Sequence, residues 1–123
     1  MITFVTSMTC EYVELLRHAN TISGFIMHAP AHMNQKQEVE FAESIVEEYI
    51  THPWKRIIVP SFYELTLLRL IRKVREGELP HDELEVHCLN SDGTLQIMKL
   101  DATGEFIGRF QEGFFEGRSE ELF

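Results

Sequence analysis

The sequence predicts a three-layer α/β fold: a mostly parallel sheet flanked by helices, with a C-terminal antiparallel hairpin at one edge. Three observations carry this. Short apolar runs alternate along the chain with longer segments of helical period, the pattern of a parallel sheet with helical crossovers. The run Arg56–Val59, R-I-I-V, is mostly apolar and β-branched, as in a strand covered on both faces. Asp92-Gly93 lies between two strand-like runs and is a strong hairpin signal.

In order, residues 2–6 (I-T-F-V-T) read as a short strand. Thr9 to Ala19 reads as a helix, with Tyr12, Val13, Leu15 and Leu16 apolar and Glu11 early, where the helix dipole favours a carboxylate. Ile22 to Met27 is the second strand, and Pro30 keeps the H-A-P-A-H that follows out of helix. Gln37 to Ile50 is an amphipathic helix. Val39, Ala42, Ile45, Val46 and Tyr49 form its buried stripe, and Glu38, Glu43, Glu47 and Glu48 its wet side.

Pro60 is expected to break the third strand. Ser61 with Glu64 three residues on spells a capping box, and Leu65, Leu68, Ile71 and Val74 follow at helical spacing until Gly77. Glu85–Leu89 and Leu95–Leu100 are the hairpin strands, and Thr103-Gly104 marks another turn. A chain of 123 residues fits a single domain, with a core over residues 1–77 and a hairpin and aromatic tail over residues 84–123.

Two cysteines, Cys10 and Cys88, make no disulfide framework, so reduced thiols and a cytoplasmic setting are expected. No apolar run is long enough for a membrane span, and the N-terminus lacks the basic region of a secretory signal. The net charge of −9 argues against nonspecific DNA binding. The cations are clustered, however. Lys55, Arg56, Arg69, Arg72, Lys73 and Arg75 face only Glu64 and Glu76 in their segment, which is therefore +4 and leaves −13 for the rest. Helix 62–76, with Arg69, Arg72 and Lys73, is either the solvated face of an amphipathic helix or a patch for nucleic acid or an acidic partner.

Chemistry-bearing constellations are sparse. His28 and His32 are four apart, but Pro30 between them prevents helical presentation and no third ligand is evident, so no metal is expected. Cys88 neighbours His87 on a strand, where adjacent side chains face opposite ways, so a Cys–His nucleophile is not expected. Glu43, Glu47 and Glu48 read as a wet helix face. Phe106, Phe110, Phe114, Phe115 and Phe123 crowd the last 18 residues, either to cover one end of the sheet or to dock on a partner.

Several stretches together resemble the C-terminal half of an ABC/SMC-like ATPase head of the AAA type. V-T-S-M-T-C-E-Y-V-E-L-L (Val5 to Leu16) is similar to the signature loop and helix, and I-M-H-A-P-A-H-M (Ile26 to Met33) to the Walker B strand. I-I-V-P-S-F-Y-E-L-T-L-L-R-L (Ile57 to Leu70) resembles the switch strand, turn and Leu/Arg helix, and Gly113-Phe114-Phe115 the closing G-F-F tail.

The resemblance implies the scaffold and withholds the chemistry. The Walker B acids fall at His28 and Ala29, while Pro30 and His32 match. The signature glycines fall at Thr6 and Met8; the switch histidine falls at Phe62, and Glu64 alone of that turn survives. No Gly-Lys pair exists, hence no P-loop. The expectation is a protein that is not an enzyme and takes no cofactor. It would act by self-association as a homo-oligomer, or by binding a larger ABC-like ATPase, with a nucleic-acid accessory as the alternative. In the family this half packs against a P-loop half; if that half is missing, one face or edge of the sheet lacks its cover.

Overall fold

The computed structural model describes residues 1–107; Phe110, Phe114, Phe115 and Phe123 lie outside the described residues. Strands β1 (Ile2–Ser7), β2 (Phe25–Ile26), β3 (Ile57–Pro60), β4 (Leu84–Leu89) and β5 (Leu95–Lys99) form one sheet in the order β2-β3-β1-β4-β5. β2, β3, β1 and β4 are parallel, and β5 returns antiparallel along β4 at the edge. Helices α1 (Tyr12–Ala19), α2 (Gln35–Thr51) and α3 (Glu64–Arg75) are the crossovers.

The sheet separates two apolar layers. On one face α2 and α3 pack Ala42, Ile45, Val46, Leu67, Leu70, Ile71 and Val74 onto Ile2, Phe4, Ile57, Val59, Leu84, Val86 and Cys88. On the other, Leu15 and Ala19 of α1 meet Val5 and Ile58, with Ile22, Ile26 and Leu89 at the margin. β1 is the central strand and is buried along its whole length. Burial on two faces matches the unbroken apolar run of β3, while β1 and β4 also bury Thr3, Thr6, Ser7 and His87.

Several boundaries differ from the sequence expectations, each for a local reason. α1 begins at Tyr12 rather than Thr9, because the Ser7 hydroxyl accepts from the Thr9 and Cys10 amides and holds those residues in a turn. Pro60 does not break β3; it is its last residue. Ile57 and Ser61 donate to β1, so the amide missing at Pro60 belongs to the side facing β2, which has already ended at Ile26.

The Ser61–Glu64 capping box does not form. Ser61 Oγ accepts from the Tyr63 amide instead, and α3 starts at Glu64 with Tyr63 as its N-cap. The capping box belongs to α2, where Asn34 and Gln37 exchange side-chain-to-backbone bonds, so that helix starts two residues before the expected Gln37. β2 is only two residues long, within the expected Ile22–Met27.

The helix stop is as the sequence predicts: Gly77 has φ +80°, and the Glu78 amide reaches back to the Lys73 carbonyl at 3.0 Å. The turn glycines also hold. Gly93 closes the β4–β5 loop at φ +88° and Gly104 the following turn at φ +83°, after which Phe106 bridges back to Leu100.

Candidate functional site

In open α/β sheets, ligands bind outside the carboxyl ends of the strands, where successive crossovers leave to opposite faces. Here that switch point lies between β1 and β3, since β1 runs on to α1 on one face and β3 to α3 on the other. A crevice of about 590 Å³ opens there, lined by Tyr12, Ala29, Pro30, Ala31, Pro60, Ser61, Phe62 and Tyr63.

Three segments build the crevice. The β1–α1 loop is pinned by Ser7, whose hydroxyl donates to the Leu89 carbonyl at 2.6 Å while accepting from Thr9 at 3.1 Å and Cys10 at 2.8 Å. The β2–α2 loop is tied across by the Tyr63 phenol, which donates to the Ala31 carbonyl at 2.9 Å. The β3–α3 turn sets Phe62 outward, its ring 6.2 Å from that of Tyr12 and tilted by 58°. Partial burial raises the Tyr12 pKa, so the phenol stays neutral. The lining therefore carries no charge.

A phosphate at such a place needs free backbone N–H groups at the loop and helix starts. Three that could serve are already engaged. Thr9 and Cys10 donate to Ser7 and Tyr63 donates to Ser61. At the head of α3 the carboxylate of Glu38, reaching over from α2, lies by the Leu65 and Thr66 amides, which pull its pKa down. Burial raises the Glu38 pKa despite those two amides, and the Glu64 carboxylate beside it pushes the same way. Two carboxylates thus stand where an anion would have to dock.

Of the positions that the resemblance singled out, only some reach this crevice, and they form no charged centre. Ala29, Pro30 and Phe62 line it; His28 and His32 are exposed on the β2–α2 loop. Thr6 is buried in β1 and Met8 is exposed just beyond it. Among the described residues no group of three or more His, Cys, Asp or Glu is placed to hold a metal ion.

The basic segment is compensated by the fold. Lys73 lies between Glu43 at 3.1 Å and Glu78 at 2.9 Å, Arg72 pairs with Glu76 at 3.5 Å and Arg75 with Glu105 at 3.2 Å. Lys55 bonds Glu48, and Arg56 bonds Glu85. Arg69 alone of the six has no carboxylate partner among the described residues. Phe106 packs against the α2/α3 core instead of standing free.

One polar chain was not foreseen from the sequence. Glu85 and His87 share a face of β4, two residues apart. His87, 5% exposed, bonds Glu85 through Nε2 at 2.9 Å and His18 of α1 through Nδ1 at 2.9 Å. Arg56 completes it, donating to Glu85 at 2.8 Å and to the Thr3 hydroxyl at 3.1 Å. Strand alternation could have paired Glu85 with His87, and it does send Cys88 the other way, into the opposite core. Nothing in the sequence pointed to His18 or Arg56 as their partners.

Comparison with known proteins gave no match: no family model, no curated protein and no solved structure is significantly similar to this chain. Among the described residues, no helix is long and apolar enough to cross a membrane.

Proposed function

We propose that this chain is a non-catalytic interaction module, a degenerate ABC/SMC-like ATPase half-head that acts by self-association or by docking on a larger ATPase. One observation carries the reading. The backbone amides of Thr9, Cys10 and Tyr63 at the switch point are bound by Ser7 and Ser61 of the chain itself, and the Glu38 carboxylate stands at the head of α3 where a phosphate would lie. The Glu38 and Glu64 carboxylates at the head of α3 repel a triphosphate, and no acid stands at His28 or Ala29, the positions that the resemblance matches to the pair supporting Mg²⁺ and water.

The same end of the sheet offers what an interface uses. Met8, Tyr12, Val13 and Phe62 are exposed apolar side chains around the crevice, at 54%, 38%, 52% and 45%. Aromatic residues beside a preformed apolar pocket are the usual anchors of protein contacts. A nucleic-acid role along α3 is the weaker reading, because Arg72, Lys73 and Arg75 are held by carboxylates.

The test is ATP binding by calorimetry and turnover with Mg²⁺ on the pure protein. Neither is expected, and Mg²⁺-dependent hydrolysis would reject the proposal. Light scattering then separates the two modes of action. An oligomer that falls apart on Phe62→Asp supports self-association; a monomer that gains mass only with an ABC-like ATPase supports docking. Salt-sensitive DNA or RNA binding lost on Arg69→Ala would favour the nucleic-acid role instead.

A further inference from the structure

The His18–His87 contact is the part of the molecule that the crevice does not account for. We propose that this pair is a proton-counting latch: it holds α1 on the sheet while the two rings share at most one added proton, and releases the helix when both are protonated.

Donor and acceptor roles along the chain of bonds set this limit. An ionised carboxylate only accepts, so His87 Nε2 donates to Glu85. In the neutral pair, His87 Nδ1 is then a lone pair and accepts from His18 Nε2–H across 2.9 Å. One added proton leaves the bond intact. If it resides on His87, the bond reverses and His18 accepts; if it resides on the other nitrogen of His18, nothing at the contact changes. A second proton puts N–H against N–H, and two imidazolium rings then face each other with centroids 5.2 Å apart.

The charged neighbours do not rescue the doubly protonated state. Glu85, from β4, is the carboxylate that faces the pair, and Arg56, just before β3, already claims the same oxygen. β1 contributes Thr3, which is uncharged. On β5 the residue opposite Glu85 is Lys99, another cation. On α1, Glu14 and Arg17 are paired with each other. Burial and the neighbouring His87 both lower the His18 pKa, the direction that the crowding requires.

α1 is a helix that such a change can free. It has eight residues, below the length at which a helix is stable alone, and its buried anchors are only Leu15 and Ala19. Its first residue, Tyr12, walls the crevice, so release would open that wall. The latch does not depend on what the crevice binds.

The experiment is amide hydrogen exchange on the whole protein from about pH 7.5 to about pH 5, corrected for intrinsic rates, with α3 as the internal reference. The α1 amides are expected to lose protection by about tenfold or more while α3 keeps its own. His18→Gln, whose amide can still donate to His87 Nδ1 but cannot ionise, is expected to hold α1 protection level over the same range. Three results would overturn the latch: a flat α1 profile in the unmodified protein, an equal loss in His18→Gln, or parallel loss from α3.

Discussion

Glu38 on α2 and Thr66 on α3 are joined by a hydrogen bond, the Thr66 hydroxyl donating to the Glu38 carbonyl at 3.0 Å. The Glu38 carboxylate lies by the Leu65 and Thr66 amides, which pull its pKa down against burial. It stands at the head of α3 from another helix, where Tyr63 provides no side-chain cap. It also fills the place where an anion would be bound.

Replacing Glu38 separates the cap from the charge. Glu38→Ala removes the acceptor and is expected to cost about 1 kcal/mol, the usual worth of a lost N-cap. Glu38→Gln keeps an oxygen for the amides and removes a charge that burial opposes, so it is expected to be close to neutral at pH 7. Urea unfolding of the two variants checks this, and equal losses would contradict it.

Ser7 holds the β1–α1 loop by three hydrogen bonds from one buried hydroxyl. Ser7→Ala leaves the Leu89 carbonyl and two amides without that partner. The expected loss is about 2 kcal/mol, with raised amide exchange confined to the loop and the start of α1. A stability unchanged within error would show that water replaces the hydroxyl fully.

Gly24 lets β2 lie against β3. A Cβ there would stand 2.6 Å from the Arg56 carbonyl, which accepts from the Phe25 amide. Gly24→Ala is expected to cost about 1–3 kcal/mol by forcing β2 away. Thermal unfolding measures the loss, and exchange at the Phe25 and Met27 amides localises it.

Acid should weaken the fold through His18. Its folded pKa lies below the ordinary 6.5, first through burial and second through His87. The neutral ring is therefore the form the fold prefers. Stability linked to it is fully present above pH 6.5 and is lost as the pH falls through the lower folded value. Urea midpoints at about pH 7.5 and about pH 5.5 should differ less in His18→Gln than in the unmodified chain.

Local pattern alone determined much of this protein. The alternation of apolar runs and helical stripes, the glycine stop at Gly77 and the Asp92-Gly93 turn fix a parallel α/β sheet with a terminal hairpin, because each is written in residues a few positions apart. Element ends were less legible. The hydroxyls of Ser7 and Ser61 compete for amides that a helix would otherwise use, and nothing in a hydrophobic period records that competition. What joins distant residues was decided by the tertiary structure. The strand order brings Arg56 to Glu85 across β1, and α1 lays His18 on His87, 69 positions away. The packing of α2 on α3 brings Glu38 to the head of a helix it does not belong to, and sets Glu43 against Lys73. Burial and charge compensation depend on distances in space, and a sequence states only distances along the chain.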